Sequence, residues 1–347
     1  MSDFLPGFVP GRELSRAFYA EVVQPLIGEV PHGAALIGPG SEVLAFDTER
    51  STDHDWGPRV LVFVEPSVVA GLSARLDAGL PERFGGYPTA FGSDRNPVRH
   101  GVLVTGFGSW ARARLGFDPR GEITTADWLG VSWQRLAEVT SGEVFHDGLG
   151  ELGGARANLR WYPGEIWRYV LACQWRRVAQ IESFPGRCGE VGDDLGSVVV
   201  TARLIEDLMR LCLLMRRRYP PYAKWLGSAF ARMSGSAELG EMFASALSAR
   251  GWREREEHLA RAYERVAALH NRLALTEPLD GSVRPYFDRP FRVIGAGRFA
   301  DALLGTVGPS VRSLSPVGSV DQFCDSTDVL GDSTRSLALT RAAHAPA

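Results

Sequence analysis

The pattern of apolar residues changes character near Gly150, and that change limits the fold more than any single motif does. Before it, short apolar runs alternate with helical ones. Leu14, Phe18, Val22 and Leu26 fall on one helical face, so an amphipathic helix is expected from Glu13 to Ile27. Ala35-Leu36-Ile37 reads as a short buried strand, and Trp56 to Val64 as another. Ser67 is expected to cap a helix running to about Asp77. Leu80 to Pro97 is rich in glycine and proline and reads as loop. Val102 to Thr105 reads as a strand, Trp128 to Val139 as mainly helix, and Val144-Phe145 as a short strand. Such an alternation predicts a mixed sheet. After Gly150 the periodicity is helical over Glu165 to Ser183, Asp193 to Arg217 and Trp252 to Leu273. In the second of these, Leu204, Leu208, Leu211 and Met215 form a stripe that reads as core. The expected class is α+β. Residues 1–149 form a domain with a mixed sheet, 150–333 form a mainly α-helical domain, and the small, polar stretch 334–347 is a disordered tail.

Composition narrows the partners. The 347 residues suit about two domains, and a hydrophobic content of 45% supplies an ordinary core. The net charge of −3 and the lack of a clustered Lys/Arg tract argue against a nonspecific nucleic-acid partner. Arg216-Arg217-Arg218 sits at an expected helix end, where cations suit the dipole. The four cysteines form no Cys-x-x-Cys pair. Cys173 and Cys212 lie in apolar helical patterns and read as free thiols in a reducing cytoplasm. No basic segment leads into an apolar run at the start, and no run of eighteen apolar residues exists, so neither export nor a membrane is expected.

The chemistry-bearing motif is Gly40-Ser41 followed, after eleven residues, by Asp53-His54-Asp55. With the aspartates at the start of a strand, alternation puts Asp53 and Asp55 on one face and His54 on the other. Two crowded carboxylates call for a cation, and Mg²⁺ is held by one or two carboxylates together with phosphate oxygens. Gly40-Ser41 permits close backbone approach and offers N–H groups and a hydroxyl to an anion. Together these parts suit a metal-bound nucleoside triphosphate.

On these residues the chain resembles the nucleotidyltransferase superfamily, which has the DNA polymerase beta-like fold. The stretch from Gly40 to Arg59 is similar to a bacterial branch of it. So are Gln174-Trp175-Arg176-Arg177 and the segment from Arg218 to Gly227 in the helical half. The resemblance implies a catalytic nucleotidyltransferase domain, then a helical domain, with the active cleft between them. It makes Asp53 and Asp55 catalytic Mg²⁺ ligands and Gly40 and Ser41 nucleotide-binding. It implies transfer of a nucleoside monophosphate to a small molecule's hydroxyl. Such families carry a third carboxylate on the next strand, but Gly101-Val-Leu-Val-Thr105 has no acid. Glu143 and Asp147 are the substitutes the sequence offers as general base, and Asp147 is taken as catalytic. Two alternatives stay open: a catalytically silent nucleotide sensor, and an enzyme that transfers AMP or UMP to a partner protein.

Lysine usage adds one residue. Of 38 Lys and Arg residues only Lys224 is lysine. A compact ammonium on a flexible stem reaches a phosphate as a point charge, so Lys224 is expected on the triphosphate. A rival motif, Phe291-Arg-Val-Ile-Gly-Ala-Gly-Arg-Phe-Ala300, has the form of a dinucleotide fingerprint. It lacks a following strand with an acid, and is read as a tight turn between strand and helix.

Overall fold

The computed structural model describes residues 7–93 and 97–345. The first expected domain, the expected loop and the expected tail each include a few of the remaining residues, 1–6, 94–96 and 346–347, which lie outside the described residues. The chain is a mixed α+β protein with a small mixed sheet and a helical C-terminal region. It divides into two compact units, Met1–Asp127 with Arg135–Arg160, and Trp128–Gln134 with Trp161–Ala347. The chain therefore crosses between units three times, where the sequence reading placed one boundary after residue 149.

In the first unit α1 (Gly11–Phe18) runs through a π-helical turn (Tyr19–Val23) into α2 (Gln24–Ile27). After β1 (Gly33–Leu36) and β2 (Val60–Phe63) comes α3 (Val69–Gly79). Two small ribbons follow, β3 (Arg83–Phe84) with β4 (Tyr87–Pro88) and β5 (Ala90–Phe91) with β6 (Arg99–His100). Next are β7 (Val102–Thr105) and α4 (Phe107–Leu115). Then come α5 (Thr125–Gly130) and α6 (Trp133–Thr140), of which Trp128–Gln134 belong to the second unit, and β8 (Glu143–Asp147) and α7 (Glu151–Asn158). The sheet order is β7-β2-β1-β8. β1 is antiparallel to both neighbours, and β2 is parallel to β7.

The sheet is covered on both faces, which is why β1 and β2 read as continuous apolar runs. On one face Ala34, Val60, Val62, Val102 and Val104 pack with Phe18, Val23, Ile27, Leu72 and Leu76. On the other, Ala35, Leu61 and Phe63 pack with Phe107, Ala111, Leu152 and Ala155. Each fully buried Val, Leu, Ile or Phe among them contributes about 1.5–3 kcal/mol.

Several expectations need correction. The aspartate pair is not on a strand. Asp53 ends a 3-10 turn (Glu49–Asp53), Asp55 has a φ of 49°, and the strand begins only at Val60. Pro58 has no N–H and a fixed φ, so ladder pairing starts beyond it, with the Val60 N–H donating to the Gly101 carbonyl at 2.9 Å. Strand alternation therefore no longer places Asp53 and Asp55 on one face. Ser67 does not cap α3, which starts from Val68 without a side-chain cap. Part of the expected loop, Leu80 to Pro97, pairs into the ribbons. The expected tail is largely helix: Asp332 accepts the N–H groups of Thr334 (2.9 Å) and Arg335 (3.0 Å) and so starts a helix over Ser333–Ala343.

The second unit is mainly helical. Its helices are α8 (Gly164–Ile181), α9 (Phe184–Glu190), α10 (Asp194–Met215), α11 (Ala223–Ala231), α12 (Ala237–Ser248) and α13 (Trp252–Asn271). A hairpin of β9 (Arg284–Tyr286) and β10 (Arg289–Val293) leads to α14 (Gly297–Leu304). The short α15 (Pro309–Arg312), α16 (Thr327–Leu330) and the helix capped by Asp332, α17 (Ser333–Ala343), complete it. Leu204, Leu208, Leu211 and Met215 are buried, as a core stripe requires. Gln174 and Arg177 of α8 both bind the buried Asp207 of α10, at 3.0 Å to Oδ1 from Gln174 Nε2 and 2.8 Å from Arg177 Nε. The four cysteines are free thiols, Cys173 and Cys212 buried. Among the described residues no helix is long and apolar enough to cross a membrane.

Candidate functional site

The loop after β1 is built around glycines with left-handed backbones. Gly38 has a φ of 91° and Gly40 a φ of 141°, values that a side chain disfavours. The Gly38 N–H donates to the Glu138 carbonyl at 3.0 Å, which anchors the loop. The chain then closes a tight turn, with the Phe46 N–H donating to the Ser41 carbonyl at 2.8 Å. Glu42, inside this turn, is 2% exposed and forms an ion pair with Arg59. Burial pushes its carboxyl pKa up, and the Arg59 guanidinium pulls against that rise.

A cavity of about 740 Å³ follows the edge strand β7 within the first unit. Gly40 from the glycine loop and Asp55 from the second half of the motif both line it. Its apolar wall comes from Ile37, Leu61, Leu103, Phe91 and Trp110. Its cations are Arg59 and Arg99, and its remaining ionisable pair is Asp77 of α3 with His100 of β6. The Val102 N–H donates to His100 Nδ1 at 3.3 Å, so Nε2 carries the proton donated to Asp77 Oδ1. Both ring nitrogens are thus engaged, while the second oxygen of Asp77 is not used by His100.

The predicted residues separate in this geometry. Gly40 and Asp55 meet in the cavity; Ser41 and Asp53 are not part of its wall. The Asp53 carboxylate pairs with His54 Nδ1 at 2.6 Å. Glu143 is held in a two-point ion pair by Arg16, with both contacts at 2.6 Å. Asp147 accepts the N–H groups of Leu152 (3.1 Å) and Gly153 (2.9 Å), the first turn of α7, so its carboxylate caps that helix. Lys224 belongs to the second unit, exposed in the first turn of α11, with its ammonium 5.6 Å from the ring centre of Trp225. The rival glycine motif is a strand–turn–helix whose anion position is filled from within. Glu182 accepts the N–H groups of Ile294, Gly295 and Ala296 at 2.9–3.1 Å. Sequence reasoning did not single out Arg59, Glu42, Asp77 or His100. Only Glu42 carried a local signal, a lone acid entering the apolar run Val43 to Phe46.

As donors, Asp53 and Asp55 are of the type that Mg²⁺ takes. Among the described residues no group of three or more His, Cys, Asp or Glu side chains is arranged to hold a metal. The residues present therefore fit Mg²⁺ only as a site of one or two carboxylates, completed by phosphate oxygens and water.

Residues 128–226 match the model of a family described as a domain of unknown function (DUF4037). This stretch takes in α8, α10 and Lys224 and does not include the cavity residues. Comparison with curated proteins and comparison with solved structures return no match.

Proposed function

We propose that the first unit binds a nucleoside triphosphate with Mg²⁺ and transfers the nucleoside monophosphate to a hydroxyl of a small molecule. The observation that carries this reading is that Gly40 and Asp55, one from each half of the motif, line one cavity together with two guanidiniums. The backbone at Gly40 receives the terminal phosphates, and Ser41, next in the loop but outside the cavity wall, reaches them only if the loop moves. Asp55 is the carboxylate in place for the cation, and Asp53 joins it on release from His54. Mg²⁺, when bound, supplies charge neutralisation for the departing pyrophosphate. The acceptor oxygen bonds to the α-phosphorus as the bond to pyrophosphate breaks. The acceptor's proton goes to Asp77 through the oxygen not used by His100. This gives Asp77 the role that β7 leaves without an acid.

A second reading, a nucleotide binder without turnover, is favoured by the acid-free β7 and by the pairing of Asp53 with His54. Incubation with each triphosphate labelled at the α-phosphate, Mg²⁺ and a cell extract separates the two. Transfer of label to a small molecule, with pyrophosphate released, supports the enzyme. Label on protein means a protein-modifying transferase. Binding without pyrophosphate across the panel means a sensor.

A further inference from the structure

We propose that Arg59, oriented from behind by Glu42, is the residue that grips the ligand's phosphates in this cavity. The proposal rests on the reading of the cavity as a triphosphate site. Arg59 lines the cavity, and its side chain is only 19% exposed. Its Nη2 stands at ion-pair range of Glu42 Oε1 but is buried without an aligned hydrogen bond. The backbone N–H of Arg59 donates to Ser15 Oγ at 3.1 Å, which fixes the residue's base. With Nη2 turned to Glu42, the rest of the guanidinium of this cavity-lining residue can take an acceptor from outside the chain. Its planar fork matches the oxygens of a phosphate.

Glu42 sets where that fork stands. A carboxylate 2% exposed has little freedom, so the guanidinium it attracts is held against one wall. Gly40 completes the arrangement. A Cβ there would fall on Arg59 Nη2 and on both oxygens of Glu42, at contacts far below van der Waals range. Any other residue at 40 would displace the pair. The glycine of the motif thus leaves room for the cation as well as for backbone approach.

Titration calorimetry with tripolyphosphate, and with a non-hydrolysable ATP analogue and Mg²⁺, tests this on the full chain. Arg59→Gln is expected to weaken both ligands about tenfold or more, the scale of hydrogen bonds to charged groups. Arg59→Lys should recover part of that loss, since it restores the charge but not the fork. Glu42→Gln should weaken both ligands several-fold, and Arg59→Gln should add little to it in the double variant. Should these variants unfold, phenylglyoxal labelling of the parent protein decides the matter. Tripolyphosphate should slow modification of Arg59 at least fivefold and leave the exposed Arg203 unprotected. A parent that binds while Arg59→Gln binds within twofold of it overturns the assignment, as does unprotected Arg59. A parent that binds no phosphate ligand overturns the nucleotide reading itself, and this inference with it.

Discussion

At the scale of single residues, the motif glycine is the most constrained position. Gly40 combines a φ of 141° with a Cβ position occupied by Glu42 and Arg59. Gly40→Ala should therefore destabilise the fold by about 1–3 kcal/mol, the range for a residue forced into a disfavoured backbone. Urea unfolding measures it, and a loss under 0.5 kcal/mol would refute the packing described. Asp77→Asn should lower turnover by about 10²-fold or more with nucleotide affinity unchanged, since positioned proton transfer contributes 10²–10⁴. Asp147→Ala should instead cost about 1 kcal/mol of stability as a lost helix cap, without touching nucleotide affinity. If Asp147→Ala abolishes turnover in a stable protein and Asp77→Asn does not, the base has been misassigned. Asp321, whose carboxylate accepts the Trp133 N–H at 2.9 Å, has its pKa pushed up to about 7, chiefly by burial. A carboxyl raised in the folded state binds more protons folded than unfolded, so its contribution to stability falls as pH rises from about 4 to about 7. Asp321→Asn should remove that fall. Equal pH profiles for parent and variant in urea unfolding would count against it.

At the scale of elements, the legible features were those with a strong local period. The helices near 13–27, 165–183, 193–217 and 252–273 were read to within a few residues, because each buries a stripe that repeats every three or four positions. The ribbons between α3 and β7 were not, since two-residue strands carry no period. The tail helix was not either, since its start depends on a single capping aspartate, Asp332. Gly40 and Asp55 were legible because the glycine loop and the acid pair are close in sequence. Asp77, His100 and Trp110 were not: they come from α3, β6 and α4, three separate elements, and line one cavity only in the folded chain. In the second unit, the Gln174–Arg177 string that supported the family resemblance has a structural duty. Asp207→Ala would leave Gln174 and Arg177 of α8 without their shared acceptor, and should cost about 3–5 kcal/mol in urea unfolding. A loss below 1 kcal/mol would show that water replaces it.

At the scale of the whole molecule, the chain is two units linked by three crossings, and the family match at 128–226 includes residues of both. Phosphate binding is proposed for the first unit, while Lys224, which the sequence alone put on the triphosphate, belongs to the second. Hydrogen exchange tests that division: a triphosphate with Mg²⁺ should protect the Gly40 loop, and should also protect the first turn of α11 if Lys224 takes part. The proposed ligand of the cavity shared by Gly40 and Asp55 is a metal-bound triphosphate. Its direct test is the melting temperature of the parent chain and of the Asp53→Asn, Asp55→Asn double variant, with Mg²⁺ and each nucleoside triphosphate, together and alone. One triphosphate with Mg²⁺ should stabilise the parent by roughly 2.7 kcal/mol at a hundredfold excess over its Kd. Neither component alone should do so, and the double variant should stay folded but lose the gain. A double variant that keeps the full shift, or a parent that no triphosphate stabilises, would contradict it.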